Sequence, residues 1–169
     1  MNIRRETEND LDEIRKVNTR AFKQGGEARL VDLLRESGDL SLSLVAEIDG
    51  KLVGHLAFSP VAVDGETAEA VIAGAGPLSV SPELQRKEIG SALFIEGLKQ
   101  IEKLGFNAVV LLGHAKYYPR FGFSPASQHM LRCEYDVPDE AFMAKELTPG
   151  ALEGAHGVVH YNDAFEEVE

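Results

Sequence analysis

Apolar residues in the N-terminal part of the chain recur every three or four positions; from residue 42 onward they run together or alternate. The first pattern belongs to helices with one buried face, the second to strands. In "LDEIRKVNTRAF", Leu11, Ile14, Val17 (or Asn18) and Ala21 share a face, and Asn9 or Asp10 offers an N-cap. Gly25-Gly26 interrupts this helix. "EARLVDLLRES" predicts a second one, with Leu30, Leu33 and Leu34 on one side and Gly38 as its stop. Ahead of both, "NIRRET" suits a short strand.

"LSLVAEI", "DGK" and "LVGHLAFSPVAV" predict a hairpin, because Asp-Gly tolerates the positive φ of a tight turn. A second Asp-Gly, at 64–65, leads into "EAVIAGAGPLSV", a further strand. Behind Pro82, "ELQRKEIGSALFIEGLKQIEKLG" predicts a long helix with the stripe Ile89, Leu93, Leu98 and Ile101, and Gly105 as its C-cap. "NAVVLLG" is a continuous apolar run, as in a strand covered on both faces. "HAKYYPRFGFSPA" follows, dense in aromatics. In the tail, "EYDVPDEAFMAKEL" and "GVVHYNDAF" each predict a strand, "TPGALEGAHG" a loop between them, and "DAFEEVE" an end that frays into solvent. The order of elements predicts a mixed α/β layer structure.

Composition narrows the class. The length of 169 residues predicts one domain, 1–169, with its core over about 2–125 and an extension over about 126–169 that adds strands. An apolar fraction of 44% with 27% charged residues is ordinary for a soluble globular protein. Cys133 is the single cysteine, which excludes an internal disulfide and fits a reducing, cytoplasmic setting. "MNIRRETEND" has no apolar run of the signal-peptide kind, and no window approaches the ~20 apolar residues that cross a bilayer. The formal net charge of −11 opposes nucleic acid and anionic membranes as partners and suits amine-bearing substrates better. His129, His156 and His160 lack metal-ligand spacing, so no metal site is expected. Oligomeric state stays open, a homodimer included.

The chemistry gathers in "PLSVSPELQRKEIGSAL". A strand ends at Val80, the chain turns over Ser81-Pro82, and a helix starts near Glu88 to Gly90. Amides at a helix start point outward and carry the positive end of the dipole, which suits a phosphate. Gly90 lets the backbone approach an anion closely. A plain strand–turn–helix joint would read the same way.

Leu78, Val80, Pro82, Gln85 and Gly90 match a strand ending in Leu-x-Val-x-Pro followed by Gln/Arg-x-x-Gly-x-Gly/Ala. "YYPRFGF" looks like Tyr-x-x-x-Gly-Phe, with Tyr118 four residues before Gly122. On these two motifs the sequence resembles the GNAT superfamily of acetyl-CoA-dependent N-acetyltransferases, and "LLGHAKYYPRFGF" with "FMAKELTPGAL" resembles its YhbS-like branch. The resemblance implies a mostly antiparallel central sheet with helices on both faces. It implies acetyl-CoA as co-substrate and direct attack by a primary amine of a small molecule or protein. It further implies cofactor contacts from Leu78, Ser79, Val80, Gln85, Arg86, Lys87, Glu88, Ile89, Gly90, Ser91 and Tyr117, and a proton donor to the departing thiolate in Tyr118.

The departure is Glu88, which stands where the signature has its first glycine. A non-glycine residue at positive φ costs about 1–2 kcal/mol. A carboxylate ~5–6 Å from a phosphate, at an effective dielectric near 20, is unfavourable by roughly 3 kcal/mol before screening. Arg86 and Lys87 partly offset that charge, and each amide–phosphate bond is worth ~1.5–3 kcal/mol. For the base, "AVIAGAGPLSV" holds no carboxylate. His114, directly after the "VVLLG" strand, is the leading candidate; His55 and Glu27 are alternatives, each readable as structural, and a water relay is another route. The competing function is a catalytically idle module of this fold that binds an acyl-CoA or a protein partner.

Overall fold

A computed structural model describes residues 1–168 and, among them, ten strands and four helices. In chain order these are β1 (Asn2–Arg5), α1 (Leu11–Phe22), α2 (Gly26–Ser37), β2 (Leu42–Ile48), β3 (Lys51–Pro60), β4 (Ala62–Glu66) and β5 (Ile72–Val80). Then come α3 (Ile89–Lys103), β6 (Ala108–Leu112), β7 (Ser124–Pro125), β8 (Leu131–Cys133), β9 (Phe142–Glu146), β10 (His156–His160) and α4 (Ala164–Glu167). Single turns of 3-10 helix join several of them, notably Pro82–Leu84 and Tyr118–Phe121. The chain forms two compact units, Met1–Ser59 with Gly76–Gln100 and the residues from Asp163 on, and Pro60–Ala75 with Ile101–Asn162.

In the first unit β2 lies antiparallel to both β1 and β3. Asp49 and Gly50 join β2 to β3 with φ of 50° and 77°, the two left-handed residues that a type I′ hairpin requires. Leu42–Ala46 are all buried because both faces are covered. Val45 and Ala57 pack with Ile14 of α1 and Val31 of α2. The alternate residues meet α3: a Cβ on Gly97 would fall 2.7 Å from Leu56 and 2.8 Å from Phe58, and one on Gly54 would fall 2.9 Å from Leu93. Each glycine therefore lets side chains of the opposite element rest against bare backbone. Burial of each leucine in this layer stabilises by about 1.5–3 kcal/mol relative to exposure.

Several boundaries differ from the sequence reading. Asp10 occupies the N-cap position of α1, but its carboxylate turns back to the Thr7 N–H at 2.6 Å and to the Arg4 guanidinium at 2.7 and 2.9 Å. α1 ends at left-handed Lys23, ahead of the glycine pair, and Gly26 opens α2. Gly38 stops α2 as expected, left-handed, with its N–H donated back to Arg35. In α1 Ile14, Val17 and Asn18 are buried while Leu11 and Ala21 are half-buried. The tail does not fray over its described residues: Ala164, Phe165 and Val168 pack with Leu30 and Leu34 of α2. Glu169 lies outside the described residues.

In the second unit Ile72–Gly74 of β5 pair in parallel with Ala108–Val110 of β6. β9 then lies antiparallel between β6 and β7. A separate three-stranded sheet has β10 between β4, antiparallel, and β8, parallel. The second Asp-Gly is no turn. It sits inside β4, where Gly65 opposes Gly157 of β10, and a Cβ on either would stand 2.3 Å from a carbonyl oxygen of the other strand. The turn falls instead at Thr67–Ala70, closed by an Ala70 N–H to Thr67 O bond of 2.8 Å. The fold is mixed α/β, with a mostly antiparallel sheet.

Candidate active site

In the first unit, the Ser81 N–H donates to Val53 O at 2.8 Å, tying the end of β5 to β3. The Gln85 amide side chain donates to Val80 O at 3.0 Å, so the chain doubles back just before the helix. Leu78 and Val80 are half-buried and Ser79 is buried. Arg86 and Glu88 then adopt φ of 65° and 67°. Two non-glycine residues are thus held left-handed within three positions, and Gln85, Arg86, Lys87 and Glu88 are all exposed. Ile89, 4% exposed, plants the helix start in the core against Gly54.

Left-handed Glu88 followed by helical Ile89 turns successive amides toward one side, the arrangement that makes an anion-binding concavity. The first intrahelical bond runs from Ala92 N–H to Glu88 O at 3.0 Å, so the amides of Ile89 and Gly90 lie ahead of the ladder. Behind them 15 residues of α3 align their dipoles, worth roughly half a positive charge at this end. Glu88 adopts the glycine-like φ with its side chain in solvent. Beside the loop, Arg20 forks onto Glu83 at 2.8 and 3.0 Å, both side chains exposed.

In the second unit, the segment after β6 packs aromatic rings around a 3-10 turn. Tyr117 meets Tyr118 edge-on with centroids 4.9 Å apart, and Tyr118 meets Phe123 at 6.2 Å. Arg120 lies 4.6 Å over the Tyr117 ring. His114 is exposed and its carbonyl accepts the Tyr117 N–H at 3.1 Å, which opens the turn. Gly122 closes it at φ 91°. Burial, and then the neighbouring Tyr117, push the Tyr118 phenol up to about 12, so it keeps its proton at neutral pH.

His55 is a core histidine. Its Nδ1 accepts from the Asn18 amide at 3.1 Å, and its Nε2–H donates to Ser43 Oγ at 2.8 Å. Ser43 in turn donates to Glu6, which Arg35 grips through two bonds of 2.9 Å. The assignment is forced, because the Asn18 amide nitrogen can only donate. Both ring nitrogens are engaged, and desolvation lowers the pKa to about 4. Such a ring is no base for an incoming amine. Glu27 sits in the first turn of α2 and accepts from Gln24 at 3.1 Å. Among the described residues no group of three or more His, Cys, Asp or Glu is arranged to hold a metal ion, and no helix is long and apolar enough to cross a membrane.

Residues 2–126 match the family model described as "Acetyltransferase (GNAT) domain". The chain belongs to the GNAT acetyltransferases. Among its GNAT relatives, the uncharacterized N-acetyltransferase YhbS of Escherichia coli K12 is 40% identical over 166 residues, 98% of each chain. YjhQ of the same strain, also described as an uncharacterized N-acetyltransferase, is 39% identical over 145 residues, 82% of this chain and 80% of its own. Two solved GNAT structures are similar throughout. Escherichia coli YhbS in complex with CoA superposes with a TM-score of 0.91 at 39% identity, covering 98% of this chain and 91% of that one. A GNAT acetyltransferase from Brucella melitensis in complex with acetyl-CoA gives 0.80 at 38% identity, with 97% of each covered.

Sequence reasoning passed over two residues next to the turn. A Cβ on Gly113 would stand 2.4 Å from the Tyr118 ring, so only glycine leaves that ring its seat. The Lys145 ammonium, from β9, donates to Phe121 O. The glycine directly after the β6 run was a usable signal. Nothing in the local sequence marks Lys145.

Proposed function

We propose that the protein transfers the acetyl group of acetyl-CoA to a primary amine of a small molecule or protein by direct attack. The observation that carries this reading is the loop backbone: left-handed Arg86 and Glu88 ahead of α3 form a cradle of amides for a diphosphate. Gln85 to Ser91 hold the diphosphate, and Tyr117 lines the thioester end. A backbone N–H of Leu78, Ser79 or Val80 donates to the carbonyl oxygen as charge gathers there. The amine nitrogen bonds to the acetyl carbon and the carbon–sulfur bond breaks. Tyr118 gives its proton to the departing thiolate and recovers the one the amine gives up. A phenol raised to about 12 keeps its proton at neutral pH and is a weaker acid than a thiol, so its transfer to the thiolate is coupled to the proton it takes from the attacking nitrogen. Before attack, His114, exposed at the mouth of the turn, or a water relay takes the first proton, since a lysine-like amine with pKa about 10.4 arrives charged; the proton Tyr118 recovers is the second, lost from nitrogen after attack. We place this work in the reducing cytoplasm, in keeping with the half-buried free thiol of Cys133.

The second reading, an idle module that binds acyl-CoA or a protein partner, draws on Glu88 and on a β5 without a carboxylate. Thiol release from acetyl-CoA with a panel of amines (lysine, a peptide with a free N-terminus, a polyamine, an aminosugar) separates the two. Turnover with one of them is expected. Binding of coenzyme A by calorimetry without thiol release from acetyl-CoA in the presence of any of these amines would leave the idle module.

A further inference from the structure

We infer that Lys145 and Gly113 are positioning residues that fix the Tyr118 phenol for proton transfer. This rests on the reading of Tyr118 as the acid.

The turn that carries Tyr118 is four residues long, and the Gly122 N–H to Pro119 O bond of 3.0 Å closes it. A single turn of this kind has little stability of its own, because its terminal carbonyls find no partner within it. Lys145 supplies one from outside. Its ammonium donates to Phe121 O, the last carbonyl of the turn, and its stem lies across Gly122, where a Cβ would stand 3.0 Å from Nζ and 3.4 Å from Cε. A cation at that end also suits the turn dipole. The lysine backbone is anchored, since Lys145 pairs with Val109 inside the β6–β9 ladder.

Gly113 works from the other side. Its N–H donates to Ala141 O at 3.0 Å, which extends the same pair of strands, and its bare Cα leaves the space that the Tyr118 ring occupies. Both constraints on the phenol therefore come from one rigid strand pair. Proton donation needs such a hold, because a misplacement of about 1 Å is enough to lower a rate about 100-fold.

A double-mutant cycle tests this. Lys145→Met keeps the stem and removes the donor, and Lys145→Arg restores one. With an amine from the panel, Lys145→Met is expected to lower kcat about 10- to 100-fold with KM for acetyl-CoA within about twofold, and Lys145→Arg to recover most of the loss. In a Tyr118→Phe background Lys145→Met should cost nothing further, because the group it positions is gone. An equal loss in both backgrounds, no loss at all, or a rise in KM alone overturns the inference. Wild-type turnover by Tyr118→Phe would instead remove the acid itself, a separate failure. Gly113→Ala in the same cycle serves if Lys145→Met does not fold. One readout needs no acceptor: the ring NMR signals of 13C-labelled Tyr118 should shift in Lys145→Met, and unmoved signals also overturn the proposal.

Discussion

Between Gln85 and Glu88 every residue is exposed, and the backbone, tied by one Gln85 side-chain bond to Val80 O, carries the geometry; between Tyr117 and Phe123 the side chains carry it. The difference explains which substitutions each region accepts. A loop that binds through amides asks only that its φ and ψ be reached, so glutamate can stand in a glycine position at a cost of about 1–2 kcal/mol. A turn whose geometry rests on ring placement is set by volume, and Gly113, which has no room for one carbon, marks its limit. Motif departures in the loop are thus weaker evidence against function than departures in the turn.

The sharpest way to break this contrast is Tyr118→Phe. Removal of the phenolic proton should lower turnover about 100-fold or more while coenzyme A affinity holds. A parallel loss of affinity in calorimetry would mean that the turn binds rather than reacts.

Next in size is an acid effect in the unit that carries the loop. His55 titrates at about 4 when folded against an ordinary 6.5, so between those values the unfolded chain binds the extra proton. Stability present at neutral pH is then lost as pH falls through that window, by about 3 kcal/mol for a shift of this size. Asp10, held at about 2 chiefly by Arg4, adds a loss in the same direction only below about pH 4. Urea midpoints at pH 7, 5.5 and 4.5 should fall steadily, and His55→Gln should flatten the slope; an equal slope in that variant would place the titration elsewhere.

Glu88→Gly sharpens the comparison from the loop side. Loss of the carboxylate should tighten coenzyme A binding by about 1–2 kcal/mol after screening, roughly 5- to 30-fold, with kcat unchanged, while relief of a positive φ already present without ligand should appear in folding stability. Unchanged affinity would show that the side chain already sits clear of the phosphates. The smallest effect belongs to Arg20→Ala. An exposed ion pair to Glu83 is worth about 0–1 kcal/mol, so melting and affinity should move little, and a large change would give that fork a role in holding the loop.

What could be read in advance followed the range of the interactions. α1, α2, the β2–β3 hairpin and α3 come from local periodicity and turn chemistry, and Asp49-Gly50 turned as expected. Asp64-Gly65 has the same letters and a different fate, because β10, far along the chain, pairs with it and needs two opposed glycines. The tail after Asp163 holds too few apolar residues to show a period; Leu30 and Leu34 decide its burial. At the site, the signature glycine foretold the left-handed φ of Glu88, whereas nothing announced Arg86 beside it. The Lys145 contact joins residues 24 positions apart across two turns, beyond the reach of any local pattern.

The bare faces of Gly54 and Gly97 carry a consequence for how such sequences drift. Where α3 rests on β3, the Leu56 and Phe58 side chains fill the space that Gly97 leaves, so positions 97, 56 and 58 behave as one volume. A larger residue at 97 should arise in lineages only alongside smaller ones at 56 or 58, and the loop ahead of the same helix should keep its place through the exchange.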